Sequence, residues 1–485
     1  MKPVPERSRG GNINFNELKM KTISCFLILF MTVCSSYSQD ITGQWNGALK
    51  IQGTQLRIVF HIAKTGNGFT STMDSPDQGA KGIPVTSTVF ESPKLKLEIA
   101  NLKFEYTGEL KGKIFEGSMK QNGMEFPMNL SKEEIAKQTF VRPQEPKKPY
   151  PYYSEDVIFT NAGANITLAG TLTLPKQEGN FPAVVLVTGS GAQNRDEEIL
   201  GHKPFLVLAD YLTRNGIAVL RFDDRGVGQS KGDFKTATTA DFASDAESAV
   251  AYLKTRKEIK KSKIGIAGHS EGGIIGPIVA SRSKDVSFIV LMAGPGLRGD
   301  KILLYQQEVI ARASGVSESN IQKTKSVNSK AFDLVLKSKS DESLKTDLKK
   351  FLLGSQKNSP SPNKPEVTTD EDFVNIQLSQ ITSPWMLYFI RFDPATTLEK
   401  VKCPVLAIDG EKDLQVPAKE SLEAIDKALK KGGNKQVAIK EFLGLNHLFQ
   451  SCKTGLPSEY INIEQTFSPL VLDEISKWIL QQDKP

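Results

Sequence analysis

The alternation of apolar and polar positions changes character along the chain. Between residues 39 and 140, short runs such as LRIVFHI, LKLEIA and FPMNL alternate apolar with polar residues and are separated by Gly, Asn and Asp turns. A period of two residues with tight turns is typical of antiparallel strands. The pattern predicts a small antiparallel β domain, as a barrel or a sandwich. The proline-rich, charged stretch 141–152 then predicts an extended linker.

From residue 153 onward, continuous apolar runs alternate with helical patterns. Two runs that predict a hairpin come first, and they are followed by AVVLVTG, IAVLRFDD, KIGIAGHS, SFIVLMAGP, PVLAIDG and VAIKEFLG. Parallel strands that are buried on both faces read as unbroken apolar runs, and the helices between them cover the sheet. Residues 153–485 are therefore predicted to form an α/β domain around a mostly parallel eight-stranded sheet.

The segment 297–400 interrupts this alternation. It is helical in pattern, rich in Lys and Ser, and ends in the aromatic stretch ITSPWMLYFIRFDP at 381–394. Open α/β sheets bind ligands in the crevice at the carboxyl ends of their strands. Because long insertions in compact domains are mostly functional, we expect this segment to be a helical lid over that crevice.

The N-terminus has the pattern of a secretory signal peptide. Lys19 and Lys21 precede the apolar stretch ISCFLILFMTVC, and the small residues Ser36 and Ser38 follow it. This predicts a signal peptide over residues 1–38, with Met20 as a candidate true start, and export to the periplasm or beyond the cell. A lipoprotein site at Cys34 is disfavoured because the bulky Val33 precedes it. No stable membrane span is expected once the signal is removed.

Charge and cysteine content narrow the function classes. The net charge is +7, but without residues 1–38 the chain has 57 basic and 53 acidic residues. That balance, with no basic stripe interleaved with aromatic residues, argues against a nucleic-acid partner. Only Cys403 and Cys452 remain after signal removal, so the count indicates no disulfide framework, and whether these two pair is left open.

The stretch IGIAGHSEGGIIG at 264–276 contains the strongest chemical signal. Gly268-x-Ser270-x-Gly272 lies where an apolar strand is predicted to turn into a helix. In a nucleophile elbow, such a sharp turn requires small neighbours and lifts the serine hydroxyl clear of the sheet. The free N–H groups at the start of the helix also point towards the site.

A serine hydroxyl needs a base, and the chain has four histidines. His61 lies in the β domain as an expected packed residue, His202 follows the run 183–189, and His269 should point away from Ser270. His447, after the last strand, is the predicted base. Asp413 is the predicted orienting acid, because it lies between serine and histidine in chain order. Asp409 is the alternative, although its place at the strand end suits a turn-shaping role.

The tetrahedral intermediate of acyl transfer also needs donors for its oxyanion. One predicted donor is the backbone N–H of Glu271. The other comes from the glycine-rich loop after the run 183–189, where Ser190 is the first choice and Gly191 the second.

Residues 153–485 resemble the α/β-hydrolases, within the secreted carboxylesterase and serine-aminopeptidase-like group. The resemblance rests on TGSGAQNRDE, RFDDRGVGQS, GHSEGG, SPWMLYFIRFDP, DGEKDLQVP and LNHLF. It implies an α/β-hydrolase fold and hydrolysis of esters, less often amides, through an acyl-serine intermediate without a cofactor. This chain departs from the group at Thr188, where members commonly carry His.

Two further sets of residues have open roles. Asp224 and Arg225 follow the fourth strand of the α/β domain. Their expected role is a structural ion pair that holds their loop, and substrate contact is the alternative. The aromatic side chains near the end of the insertion either line an acyl pocket or form lid core; they are Trp385, Tyr388, Phe389 and Phe392.

Other function classes fit the sequence less well. No G-x-G-x-x-G stretch indicates a dinucleotide, and no two histidines have metal-ligand spacing, so neither a cofactor nor a metal is expected. The leading hypothesis is a carboxylesterase acting on a small-molecule ester, with acylated saccharides and peptide-like esters as candidate substrates. The alternatives are a serine peptidase or amidase, and a non-catalytic glycan-binding protein on a hydrolase scaffold.

Overall fold

The computed structural model describes residues 40–51, 54–66, 68–78, 80–121, 124–137, 141–358 and 369–483. The predicted signal peptide over 1–38 lies outside these residues. The chain divides into two compact units, Met1–Ile41 and Thr42–Pro485, and the fold described below is that of the second unit.

The N-terminal part of this unit is an antiparallel sheet, as predicted. Its order is β4-β3-β2-β1-β10-β8-β7-β6-β5, and β9 pairs with β8. The sheet curves until Ser71 Oγ of β3 lies 2.6 Å from Thr88 Oγ1 of β5. Its strands, in the described residues, are β1 (Gly43–Ile51), β2 (Thr54–Thr65), β3 (Gly68–Ser75), β4 (Ala80–Pro84), β5 (Ser87–Glu91), β6 (Lys94–Ile99), β7 (Phe104–Lys111), β8 (Ile114–Gln121), β9 (Met124–Pro127) and β10 (Leu130–Ser131).

The second part is built on one eight-stranded sheet with the order β11-β12-β14-β13-β15-β16-β17-β18. The sheet is mixed: β12 runs antiparallel to both β11 and β14, whereas the pairings from β14 to β18 are all parallel. The predicted hairpin is the antiparallel end of this sheet. The strands are β11 (Tyr153–Asn161), β12 (Ile166–Leu174), β13 (Phe181–Val187), β14 (Ala218–Phe222), β15 (Ile259–His269), β16 (Phe288–Met292), β17 (Val405–Gly410) and β18 (Val437–Phe442).

Helices cover both faces of this sheet because its central strands are apolar on both sides. In β13, Val184 and Leu186 contact one core, and Val185 and Val187 contact the other. The described helices are α1 (Pro204–Arg214), α2 (Thr239–Thr255), α3 (Gly272–Ala280), α4 (Gly299–Ala313), α5 (Glu318–Lys337), α6 (Asp341–Asn358), α7 (Asp370–Ile381), α8 (Pro384–Arg391), α9 (Pro394–Leu398), α10 (Ala418–Lys431) and α11 (Pro469–Gln482). Residues of α1 and α11 pack on one face, and residues of α2, α3 and α10 pack on the other.

The helices α4–α9 form an insertion between β16 and β17, in the segment predicted to be helical. The insertion has a small core of its own, which includes Leu304, Phe332, Leu344 and Ile390. The aromatic helix α8 begins at Pro384, whose missing N–H costs nothing at a helix start. The Ser383 hydroxyl caps this helix by accepting a hydrogen bond from the Met386 N–H at 3.3 Å.

The described residues include neither a membrane-spanning helix nor a disulfide bond. Within them, no helix has both the length and the apolar content that crossing a bilayer requires. Cys403 and Cys452 are both free thiols.

Candidate active site

Ser270 lies at the sharp turn between β15 and α3. Its φ is +53°, in the left-handed region that non-glycine residues rarely adopt. The turn requires glycine on both sides, because a Cβ on Gly268 would lie 2.0 Å from Gly272 O, and one on Gly272 would lie 2.2 Å from Val187 O. Strain of this kind costs about 1–3 kcal/mol and is concentrated at functional sites.

His447 and Asp413 are brought together from the loops after β18 and β17. His447 Nδ1 lies 2.5 Å from Asp413 Oδ2, and both side chains are almost fully buried. The other carboxylate oxygen, Asp413 Oδ1, accepts the N–H groups of Gln415 at 2.6 Å and Val416 at 2.9 Å. The carboxylate is thus fixed by its own loop. With Nδ1–H donating to Asp413, Nε2 is the free basic nitrogen of His447.

Asp409, the alternative acid, has a different environment. It is fully buried, and its Oδ1 accepts the N–H of Gly410 at 2.8 Å. Burial and, next, the charge of the neighbouring Asp413 raise the pKa of Asp409 well above its ordinary value. The other carboxyl oxygen, Oδ2, has no hydrogen-bond partner among the described residues. Asp413, and not Asp409, contacts the histidine, since its Oδ2 lies 2.5 Å from His447 Nδ1.

The loop that carries His447 packs against the elbow. His269, which precedes Ser270, has its Nε2 2.9 Å from the His447 carbonyl oxygen, and the two imidazole rings are 4.7 Å apart between centroids. Among the described residues, no hydrogen bond joins Ser270 Oγ to His447. Catalytic hydrogen bonds of unliganded sites are often long and tighten only when substrate binds.

The predicted oxyanion donors flank the serine. A Cβ on Gly189 would lie 3.1 Å from Ser270 Cβ, so the glycine-rich loop after β13 touches the elbow. The backbone N–H groups of Glu271, Ser190 and Gly191 have no acceptor within hydrogen-bond distance among the described residues. They are therefore free to donate to an oxygen atom bound beside Ser270.

Among the proteins that this chain is similar to are hydrolases of esters and thioesters. Residues 246–451, which include Ser270, Asp413 and His447, match the family described as BAAT / Acyl-CoA thioester hydrolase C terminal. The chain is also 30% identical over 316 residues to Esterase EstD of Thermotoga maritima, covering 65% of this chain and 66% of that one. The chain belongs to the α/β-hydrolase superfamily.

Other relatives of this α/β-hydrolase match over shorter stretches or more distantly. Acyl-coenzyme A thioesterase 1 of Homo sapiens is 30% identical over 158 residues, covering 32% of this chain and 34% of the human protein. The chain thus spans about two thirds of the esterase and one third of the thioesterase. Among solved structures, the Pyrococcus furiosus esterase Pf2001 is 17% identical with a TM-score of 0.40, over 68% of this chain and 93% of that one.

Of Asp224 and Arg225, only Arg225 forms the expected structural ion pair. Arg225 pairs with Asp245 of α2, with Nε 2.7 Å from Oδ2. Asp224 instead holds the glycine-rich loop: its Oδ1 accepts from Thr188 Oγ1 at 2.8 Å and its Oδ2 from the Gln193 N–H at 3.0 Å. Successive loop residues point in different directions, so neighbours in sequence need not pair. Thr188 thereby contributes a donor that anchors this loop.

Asp224 should make the stability of the hydrolase dependent on pH. Burial raises the pKa of Asp224 to about 8. Between pH 4 and 8 the folded protein then retains a proton that the unfolded chain releases, so stability falls as pH rises, by at most about 1.4 kcal/mol per pH unit. Asp224→Asn is expected to flatten this decline, measured as the free energy of unfolding in urea at pH 5 and pH 8. An equal decline in both proteins would contradict the assignment.

The aromatic helix α8 of the hydrolase reaches the elbow through Trp385. The Trp385 Nε1–H donates to Glu271 Oε1 at 2.8 Å, and the Thr239 hydroxyl donates to the same oxygen at 2.7 Å. Burial raises the pKa of Glu271. Phe389 stacks on Trp385 and is buried in the core that also contains residues of α2 and α3. Tyr388 and Phe392 stack on each other and are half-buried. Their role in binding substrate stays a prediction.

The two remaining histidines, His202 and His61, form hydrogen bonds with residues outside the candidate active site. His202 is fully buried, with Nε2 2.9 Å from Tyr460 O and Nδ1 3.0 Å from Thr466 Oγ1, and burial lowers its pKa to about 4. His61 was expected to be packed, but its side chain is 43% exposed and bonds Asp74 Oδ2 at 3.0 Å. In the described part of the chain, no cluster of three or more His, Cys, Asp or Glu side chains could hold a metal ion.

The sequence reasoning missed Glu197. Its carboxylate oxygen Oε1 accepts the N–H of Gly189 at 2.8 Å and lies 2.9 Å from His269 Nδ1. The stretch TGSGAQNRDE contains Glu197, but no spacing rule within that stretch indicated which other loop the carboxylate would contact.

Proposed function

We propose that the chain is a serine hydrolase that cleaves carboxylic esters through an acyl-serine intermediate. The observation that supports this most strongly is the arrangement around Ser270. A strained serine turn lies between unsatisfied backbone N–H groups and the loop of a buried carboxylate–imidazole pair. Ser270, His447 and Asp413 would then act as nucleophile, base and orienting acid.

In the proposed reaction, Ser270 Oγ attacks the carbonyl carbon of the ester while His447 Nε2 takes the hydroxyl proton. The Asp413 carboxylate holds Nδ1–H and stabilises the imidazolium that forms. The negative charge on the carbonyl oxygen is stabilised by the N–H of Glu271 and by that of Ser190 or Gly191. The intermediate then expels the alcohol, which receives the proton from His447. Water attacks the acyl-serine in a second, equivalent round and releases the acid.

A second candidate is hydrolysis of a thioester. It is favoured by the family match over residues 246–451 and by the similarity to an acyl-coenzyme A thioesterase. A thiol with a pKa near 8.5 leaves without prior protonation, so the same site chemistry would serve both substrates. Amide hydrolysis, the other enzymatic alternative, asks more of His447, because an amine must be protonated as it leaves.

The insertion α4–α9 is proposed to act as a lid. This is supported by the Trp385–Glu271 hydrogen bond, which joins helix α8 directly to the residue after the nucleophile. A segment that contacts the elbow is well placed to exclude water from the reacting atoms and to shape the acyl site.

A matched substrate panel tests the proposed function. We expect p-nitrophenyl butyrate to be hydrolysed, and a fluorophosphonate probe to modify the peptide that contains Ser270. Butyryl-coenzyme A and butyryl p-nitroanilide carry the same acyl group and isolate the effect of the leaving group. A higher kcat/KM for the thioester would assign the second candidate. A folded protein that neither reacts with the probe nor turns over any of the three would contradict a hydrolase function.

A further inference from the structure

Glu197 and His269 form a buried pair directly behind the elbow. Their relative exposures are 3% and 6%, and Glu197 Oε1 lies 2.9 Å from His269 Nδ1. A carbonyl oxygen can only accept, so the 2.9 Å contact with His447 O places a hydrogen on His269 Nε2. Burial lowers the pKa of His269, but the charge of Glu197 and its hydrogen bond raise it overall. The His269 ring is thus held at both nitrogens, by Glu197 on one side and by the His447 carbonyl on the other.

This pair joins three separate loops through one chain of hydrogen bonds. The N–H of Gly189 donates to Glu197 Oε1 at 2.8 Å, which fixes the loop of the predicted oxyanion donors Ser190 and Gly191. His269 belongs to the elbow, and its Nε2–H fixes the main chain of the base at His447. The relative positions of oxyanion donor, nucleophile and base therefore all depend on contacts with two side chains.

We propose that Glu197 and His269 are positioning residues for the hydrolytic reaction. Neither side chain contacts the reacting atoms. Glu197 sets the oxyanion loop against Ser270, and His269 sets the depth at which the His447 imidazole approaches the serine hydroxyl. The inference rests on the proposed serine hydrolase function. Displacing a reacting group by about 1 Å can cost about 100-fold in rate, so loss of this pair should be visible in kcat.

The experiment compares Glu197→Gln and Glu197→Ala with the wild-type enzyme. Gln keeps an amide oxygen that can accept from Gly189 N–H but replaces the carboxyl group that contacts His269 Nδ1 with a neutral amide. Ala removes both. We expect kcat for p-nitrophenyl butyrate to fall about 10-fold in the Gln variant and about 100-fold in the Ala variant. KM should change less than threefold, because the pair does not contact substrate.

Two controls separate positioning from general destabilisation. Each kcat is expressed per active site, counted by complete titration of Ser270 with the fluorophosphonate, so unfolded molecules do not contribute. Glu198→Gln changes the exposed neighbouring carboxylate and should leave kcat per site unchanged. If Glu197→Ala fails to fold, Glu197→Gln decides the question.

The outcomes distinguish this inference from the proposed function. Wild-type enzyme that neither titrates nor turns over ester would remove the proposed function and the inference together. Active wild-type enzyme, with kcat per site within twofold in the Glu197 variants, would overturn the positioning role alone. That second result would make the pair a contributor to stability only.

Discussion

Replacing Ser270 with alanine is expected to lower kcat for p-nitrophenyl butyrate by about 10⁴-fold or more, with the fold intact. The hydroxyl is the atom that forms the acyl bond, and removing a nucleophile removes the whole covalent route. Alanine carries the same Cβ as serine, so the left-handed backbone at φ +53° is no more strained than before. Activity is measured as initial rate, and folding as the thermal unfolding midpoint.

The matched control for this variant is Ser281→Ala. Ser281 follows the same helix α3 at its other end, and its hydroxyl donates only to Ile278 O, at 2.8 Å. It should retain kcat within about twofold, since surface changes of this kind are usually small. If Ser270→Ala retained more than a tenth of the wild-type kcat, Ser270 would not be the nucleophile.

Asp413→Asn should lower kcat by about 10⁴-fold through the tautomer of His447. Asp413 Oδ1 accepts two backbone N–H groups, from Gln415 and Val416, so an asparagine must place its oxygen there. Its amide nitrogen then faces His447 Nδ1 and donates to it. That moves the imidazole proton to Nε2, where it blocks acceptance of the serine proton. Initial rates across pH 5–9 measure the effect.

Asp409→Asn is the matched comparison for Asp413→Asn. Burial raises the pKa of Asp409, so a neutral amide suits this position, and the asparagine oxygen can still accept from Gly410 N–H. We expect its kcat to stay within about tenfold of wild type. The reverse order, with Asp409→Asn inactive and Asp413→Asn active, would show that Asp409, and not Asp413, is the orienting acid.

The parts of the candidate site that could be predicted from the sequence are those whose residues follow a strand in a fixed order along the chain. Glycine is required on both sides of Ser270, because a Cβ at either position would lie about 2 Å from a backbone oxygen, so the turn is visible in the sequence. Likewise, Asp413 and His447 follow apolar runs that could only be strands of the sheet. The contacts of Asp224 and Glu197 leave no such trace, because each carboxylate accepts from a loop that no local spacing relates to it.

The fold was predictable to a similar depth. Unbroken apolar runs indicated buried strands, and the mixed sheet follows from the hairpin β11–β12 at one end of a parallel array. The periodicity did not reveal which of the two faces of a strand is buried. His61 lies on an apolar strand, yet its side chain points to the outer, partly exposed face and bonds Asp74. A period of two fixes that faces alternate, but not which one the core selects.

The insertion leaves and re-enters the sheet at neighbouring strands, since Met292 at the end of β16 is paired with Ile408 of β17. With an apolar core of its own, the described part of the insertion α4–α9 has the anatomy of an exchangeable cassette. If the insertion shapes the acyl site as proposed, substrate preference can diverge through changes in this cassette while the sheet and the loops around Ser270 stay the same. The hydrogen bond from Trp385 to Glu271 limits such changes, because it joins the insertion to the residue after Ser270.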